Sequence, residues 1–275
     1  MRGRTVALFG GLAGVAVAGL AAGVLRGRAR RRSRITLTEL SAEDEFGELP
    51  AERGLQIVTG DGVRLWVEQT GPGALTVVFC HGFVLDRRMW YFQRRDLPKL
   101  LDEQVAMVCY DHRSHGLSAR SSRHASTIDQ LGRDLAAVLA ETAPQGPVVL
   151  VGHSMGAMTI MALAEQRPEL FADRVVGVAL LCTSAGDLGR LALAKPFLSE
   201  RSVLTAFGSI AAARRADVVE WGRRLTSSAA KPVVRRLAFG SGPVASVVVD
   251  LVDRMIAATP LQVMTDFART LGEHD

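Results

Sequence analysis

The sequence predicts an α/β fold built on a mostly parallel sheet, and three features carry this prediction. Short, uncharged, β-branched runs, which are typical of buried strands, occupy residues 75–80, 105–110 and 148–151. An amphipathic helix is predicted over Asp129–Glu141, between the second and third of these strands, as a right-handed crossover connection requires. Each of the three strands also runs directly into a polar corner that contains glycine.

The remaining elements are assigned in chain order. Two strands, Leu55–Thr59 and Val63–Gln69, flank residues 60–62, whose letters GDG are a hairpin signal. A sixth strand is predicted over Val175–Cys182. From residue 187 to residue 275 the pattern is helical and contains no strand signal, so the sheet is expected to consist of six strands.

The corner after the strand at 148–151 is the most informative site in the chain. Its letters, at residues 152–156, are GHSMG, and the apolar helix Met155–Ala164 follows at once. A serine between two glycines at a strand-to-helix corner is typical of a nucleophile elbow, although an ordinary tight turn is the alternative. Ser154 would then present its hydroxyl at the carboxyl end of the sheet, above a helix N-terminus that favours negative charge.

Three motifs in this order resemble the α/β-hydrolase family, in particular its esterase and epoxide-hydrolase-like branch. They are HGF at residues 81–83, DHRSHGLS at 111–118 and GHSMG at 152–156, and the resemblance extends from about Gly54 to the end of the chain. It implies that Ser154 is the nucleophile of a serine hydrolase that cleaves an ester, thioester or similar acyl bond through an acyl-enzyme. Serine at the elbow disfavours epoxide opening, for which this family uses an aspartate.

The resemblance also implies roles for residues around the nucleophile. The backbone N–H groups of Phe83 and Met155 would form the oxyanion hole. Four residues would shape the neighbouring loops rather than react: His81, Gly82, Asp111 and His115. His112 and His115 have an H-x-x-H spacing, but no carboxylate or cysteine cluster completes a metal site, so neither a metal nor another cofactor is expected.

The acid and the base of a catalytic triad are not evident. The family places the acid and then a histidine after the nucleophile, and the only histidine after Ser154 is His274. Asp187 and His274 are therefore kept as substitutes for the acid and the base of the triad.

Residues 187–275 resemble the family's helical lid, and the two βα units that should follow the lid are not found. The expectation is that the hydrolase is truncated at its C-terminus, after the lid, so that its sheet stops at the sixth strand and the chain is inactive as written.

The predicted lid contains apolar residues that could face a substrate, which favours a small molecule with an apolar acyl group. They are Phe197, Leu198, Leu204, Phe207, Trp221 and Leu225. Packing of lid helices on one another is the alternative. Three function classes thus stay open: a membrane-tethered serine hydrolase, a non-catalytic binding relative, and an incomplete, inactive hydrolase.

The N-terminus predicts a membrane anchor. Thr5–Leu25 is uncharged and as a helix would span about 30 Å, close to the thickness of a bilayer's hydrocarbon core. More arginines follow this run than precede it, which favours a single-pass protein with a cytoplasmic catalytic domain; a cleaved export signal is the alternative. The expected organisation is an anchor at 5–25, a basic then acidic linker at 26–53, a hydrolase core at 54–186 and the lid at 187–275.

The charge of the chain depends on its N-terminus. The net charge is +5, but the first 34 residues contain eight arginines and no acid, which leaves −3 for residues 35–275. No basic patch with interleaved aromatic residues remains, so nucleic acid is not an expected partner. The three cysteines fall in predicted strands with no disulfide-like spacing, and the oligomeric state is left open.

Overall fold

The computed structural model describes residues 46–101, 105–186, 238–239 and 244–273. Several predictions of the sequence analysis concern residues outside these ranges. They are the anchor at 5–25, the first part of the linker, most of the lid including its six apolar candidates, and the two weak triad substitutes Asp187 and His274. No helix within the described residues is both long enough and apolar enough to cross a membrane.

Six strands form one mixed sheet, in the order β1-β2-β4-β3-β5-β6. The strands are β1 (Arg53–Val58), β2 (Arg64–Thr70), β3 (Leu75–Cys80), β4 (Val105–Tyr110), β5 (Val148–His153) and β6 (Val175–Leu181). The first two strands pair antiparallel, and β2 pairs antiparallel with β4. The other four strands are mutually parallel, which confirms the mostly parallel sheet with flanking helices.

The helices lie between and after the strands. They are α1 (Tyr91–Leu100), α2 (Ile128–Thr142), α3 (Met155–Gln166), α4 (Pro168–Asp173), α5 (Ser246–Ala258) and α6 (Leu261–Glu273), with 3₁₀ turns at Arg87–Trp90 and Arg123–Ala125. Thr127 caps α2, because its hydroxyl accepts the backbone N–H of Gln130. Predicted and observed bounds differ by one or two residues, as expected where helix and strand ends fray.

Alternation along the parallel strands divides the core between the two faces of the sheet. In β3, Val78 and Cys80 face one way and pack with helices α2 and α3, whereas Val77 and Phe79 face the other way and pack with Trp90. The strands are uncharged and β-branched because both of their faces are covered, as parallel sheets require. This explains why their sequence pattern is a continuous apolar run rather than an alternation.

The last strand of the described sheet differs from the others in burial. Val176, Val178 and Leu180 alternate along β6 and are between 43% and 60% exposed. The strand pairs with β5, and no other described strand pairs with it. Cys182 lies just past the strand and its thiol is exposed, unlike the thiols of Cys80 and Cys109.

A buried arginine ties the loop after β4 to two other elements. The Arg113 side chain is fully buried, and its guanidinium donates to both carboxylate oxygens of Asp134 in α2, each at 2.6 Å. The same guanidinium donates to Asp61, in the hairpin turn between β1 and β2, at 2.7 Å and 3.0 Å. One side chain therefore fixes three segments that are distant in sequence.

We expect that Asp134→Ala destabilises the fold by about 3 kcal/mol, because it leaves Arg113 buried with only the partly exposed Asp61 to neutralise it. Urea denaturation followed by circular dichroism measures the loss in the free energy of unfolding. Glu169→Ala is the matched control, since it removes the acidic partner of an exposed pair with Arg167 and should change nothing measurable. Equal effects of the two substitutions would contradict the role given to Arg113.

Candidate active site

The structure places Ser154 at the corner between strand β5 and helix α3. Strand β5 ends at His153, α3 begins at Met155, and Ser154 between them has φ 52° and ψ −115°. This backbone conformation is strained for a residue with a side chain, and strain of this kind concentrates at functional sites. Ser154 is partly exposed, and its hydroxyl makes no hydrogen bond with the residues that the structure describes.

The two glycines of the corner are required by close backbone contacts. A Cβ on Gly152 would lie 2.6 Å from the Cα and backbone nitrogen of Ala157 in α3. A Cβ on Gly156 would overlap the carbonyl groups of Cys80 and His81 at the end of β3. Only glycine lets the helix start so close to the two strands, which is the physical reason for the G-x-S-x-G pattern.

The loop after β3 lies beside the corner because β3 and β5 are neighbouring parallel strands. Cys80 pairs with Gly152, so the chain leaves both strands at the same level. Gly82 abuts His153, since a Cβ on Gly82 would lie 2.5 Å from His153 Nδ1. Phe83 packs on a buried cluster that includes Met155. The two residues predicted to supply oxyanion donors thus lie on adjacent segments, and the direction of their N–H groups stays a prediction.

His81 binds the backbone of its own loop and that of the loop after β4. Its Nε2 accepts the backbone N–H of His112 at 2.9 Å, so the proton is on Nδ1, which donates to the carbonyl oxygen of Gly82 at 2.8 Å. The ring of His112 returns a hydrogen bond from Nε2–H to the carbonyl oxygen of His81 at 3.1 Å. Burial lowers the pKa of His81 to about 3 and that of His112 well below its usual value. Both rings are therefore neutral, hydrogen-bonded supports.

Asp111 holds the loop after β4 at a fixed distance from the turn that precedes α1. Its carboxylate accepts the backbone N–H groups of Arg87 and Leu117, each at 2.8 Å, and pairs with the Arg87 guanidinium at 3.3 Å. Burial raises the pKa of Asp111 to about 6, against the opposing effect of the Arg87 charge. Arg87 also binds Glu68 in β2, which in turn pairs with Arg94 in α1.

His115 connects the same loop to the last helix of the described chain. Its Nδ1–H donates to the carbonyl oxygen of Arg113 at 3.0 Å, and its ring meets Phe83 and Phe267 edge to face, with centroids 6.3 Å and 5.4 Å away. Burial lowers the pKa of His115 to about 4. The described residues contain no group of three side chains able to hold a metal ion.

Helix α6 packs against residues around the candidate site, although its residues form no recognisable site motif in the sequence. Phe267 is fully buried and packs with Met155, while Met264 packs on Phe83 and Val84. The hydroxyl of Thr270 accepts the backbone N–H of Ile128, which joins α6 to the start of α2. The amphipathic pattern of α6 predicts that one face of the helix is buried, but it does not predict which residues that face packs against.

We expect the free energy of unfolding to fall as the pH falls below about 6.5. His81, His112 and His115 have lowered pKa values when folded, so in this range the unfolded chain binds protons that the folded chain does not. Each such proton contributes up to about 1.4 kcal/mol per pH unit. The raised pKa of Asp111 has the opposite effect below pH 6, because the folded carboxyl binds a proton at a pH where the unfolded carboxyl does not. It offsets the loss of stability that one of the three histidines causes.

Urea melts at pH 7.5, 6.5 and 5.5 test this expectation. His115→Gln removes one of the three titrating rings, so the variant should lose less stability between pH 6.5 and pH 5.5 than the unmodified chain. A free energy of unfolding that stays constant over this range would show that the three rings are not buried in neutral form.

Comparisons with known proteins agree with the geometry. A family model described as "Alpha/beta hydrolase family" matches residues 77–273. The chain is 35% identical over 161 residues to the dihydrolipoyllysine-residue acetyltransferase component of the acetoin cleaving system from Cupriavidus necator, covering 58% of this chain and 40% of that protein. It is 34% identical over 120 residues to Lipase LipV from Mycobacterium tuberculosis, covering 43% of this chain and 41% of the lipase. The chain thus spans about two fifths of the length of these curated relatives.

A similarity of fold extends further along the chain. A thermophilic esterase from Thermogutta terrifontis superposes with a TM-score of 0.57 at 24% identity, over 81% of this chain and 73% of the esterase. At this identity the likeness shows the fold alone. The family model shows the family, because it matches well over half of the residues. The chain belongs to the alpha/beta hydrolase family.

Proposed function

We propose that the protein is a serine hydrolase that cleaves an ester, thioester or similar acyl bond. The observation that carries this proposal is the strained conformation of Ser154, between two glycines that no larger residue could replace. Strain at a corner of this kind is retained where it presents a side chain for reaction. The relatives support acyl chemistry, since one is named a lipase and another an acetyltransferase component.

The reaction that fits this site has two steps. In the first, Ser154 Oγ forms a bond to the acyl carbon, the bond from that carbon to the alcohol or thiol breaks, and the serine proton leaves with the departing group by way of a base. In the second, water attacks the acyl carbon, which releases the carboxylic acid and restores the serine hydroxyl. The backbone N–H groups of Phe83 and Met155 would stabilise the oxyanion in both steps.

The base and the acid are proposed from the sequence alone. In this sequence His274 is the only histidine that follows Ser154, and Asp187 comes six residues after the last residue of β6. Both lie outside the described residues. An apolar acyl group is the proposed substrate, on the strength of the apolar residues in the predicted lid.

A fluorophosphonate probe tests the nucleophile directly, because it phosphonylates an activated serine with loss of fluoride. With His274 acting as the base, we expect rapid labelling of the 275-residue chain and none after Ser154→Ala, with ester hydrolysis reduced by at least about 10³-fold; a chain that lacks a base, as the truncation expected from the sequence implies, would be labelled only slowly. Ser184→Ala is the matched control and should be labelled normally, since among the described residues its hydroxyl binds only Gly186 in its own loop. His274→Ala should slow the labelling strongly if His274 is the base.

A binding protein that keeps the corner without catalysis is the second candidate. The observation that favours it is the absence of a hydrogen-bonded base at Ser154 Oγ among the described residues. The same probe distinguishes the two candidates, since an unactivated serine is labelled no faster than the other hydroxyl groups of the surface. Labelling that is slow and unchanged by Ser154→Ala would favour the binding protein.

The membrane anchor at Thr5–Leu25 remains a proposal from the sequence. We expect the full chain to sediment with membranes and to need detergent for release. Leu12→Arg with Val15→Arg should shift it to the soluble fraction, because each arginine at the centre of a spanning helix costs about 3 kcal/mol. The matched control is Leu100→Arg with Leu101→Arg, which adds the same two charges at exposed positions outside the apolar run. Equal solubility of the two double variants would contradict the anchor.

A further inference from the structure

The segment that follows β6 holds the backbone of Ser154 at two points. The carbonyl oxygen of Leu181 accepts the backbone N–H of Ser154 at 2.9 Å. Two residues later, the hydroxyl of Thr183 donates to the carbonyl oxygen of Ser154 at 3.0 Å. The backbone N–H and C=O of Ser154 are therefore both hydrogen-bonded to the short segment Leu181–Thr183 at the end of β6.

This stretch is itself in a costly conformation. Cys182, between the two contacts, has φ 50°, and Ser154, just past the end of the adjacent strand β5, has φ 52°. Residues with side chains seldom adopt this left-handed region, and they persist in it only where the surroundings determine the conformation fully. The turn at Cys182 directs the chain from the end of β6 back towards the corner, which brings the Thr183 hydroxyl to Ser154.

The hydroxyl of Thr183 has this one partner among the described residues. By contrast, the hydroxyl of the next residue, Ser184, donates to the carbonyl oxygen of Gly186 and accepts the N–H of the same residue. Thr183 thus connects its loop to the corner, whereas Ser184 only closes its own turn.

We propose that Thr183 is a positioning residue for the nucleophile, an inference that rests on the proposed function. It fixes the peptide group after Ser154, and so the direction in which the Cβ and the hydroxyl of Ser154 leave the backbone. The first turn of α3 binds the same carbonyl oxygen through the N–H groups of Ala157 and Met158, at 3.0 Å and 3.2 Å. The first turn of α3 and the loop after β6 therefore both bind this peptide group. The rate of a reaction depends steeply on how the reacting groups are placed, here the hydroxyl of Ser154.

Four variants of the full chain separate positioning from folding. Thr183→Val removes the hydroxyl and keeps the shape, Thr183→Ala is a second variant without the hydroxyl, Thr183→Ser keeps the hydroxyl, and Ser184→Ala is the loop control. Each is treated with increasing concentrations of a fluorophosphonate, which gives the limiting rate of labelling and the concentration for half that rate. In this step a bond forms between Ser154 Oγ and phosphorus, the bond to fluorine breaks, fluoride leaves, and the serine proton passes to the base or to solvent.

We expect Thr183→Val and Thr183→Ala to lower the limiting rate by about tenfold, the size of effect that one neutral hydrogen bond supports. The half-rate concentration should not change, because Thr183 does not touch the probe. Thr183→Ser should restore the rate, and Ser184→Ala should leave it unchanged. Thermal melts of all four variants identify any that are not folded at the assay temperature, and Thr183→Ala replaces Thr183→Val if the valine variant fails this check.

Three results would overturn the inference while leaving the proposed function in place: an unchanged limiting rate in both variants without the hydroxyl, an effect on the half-rate concentration alone, or no rescue by serine. A full chain that the probe does not label at Ser154 would overturn the proposed function and this inference with it. The two failures are therefore distinguishable within one data set.

Discussion

The close approach of two backbone segments at the carboxyl ends of β3 and β5 is the constraint on which the site depends. Gly156, at the start of α3, lies so near the carbonyl groups of Cys80 and His81 that no side chain fits between them. Because β3 and β5 are adjacent and in register, the loop at Gly82 must pass beside the corner at Ser154. The parallel pairing of two apolar strands therefore brings the candidate nucleophile and the loop with the candidate oxyanion donor together.

Two kinds of polar interaction then hold the loops that surround this contact. Close to the corner, His81 and His112 exchange hydrogen bonds as neutral rings, so these two side chains bury no charge there. Further away, charges are buried in compensated groups such as that of Arg87 with Asp111 and Glu68. A charge in the interior is tolerated only when it is paired. These pairs hold the turn before α1 and the loop after β4 in place, and they do not involve Ser154.

The sequence predicted what local patterns determine and missed what long-range contacts determine. Strands and the glycine corner follow from short apolar runs and from steric limits at Gly152 and Gly156, which can be recognised within a few residues. Thr183 could not be found in this way, because a threonine after a strand is ordinary and its partner is 29 residues away. The same holds for Arg87, whose partner Asp111 is 24 residues away and whose role depends on the packing of a turn.

The described histidines also limit which group can act as the base for Ser154. His81, His112 and His115 are buried, hydrogen-bonded to backbone and lowered in pKa, and a ring that resists protonation is a poor proton acceptor near neutral pH. His153 abuts Gly82, and burial lowers its pKa as well. His124 lies exposed in the 3₁₀ turn before α2. Burial thus makes poor bases of the four rings at 81, 112, 115 and 153. Neither the exposed His124 nor His274, which lies outside the described residues, is subject to this argument, and His274 is the one that follows Ser154 in the sequence.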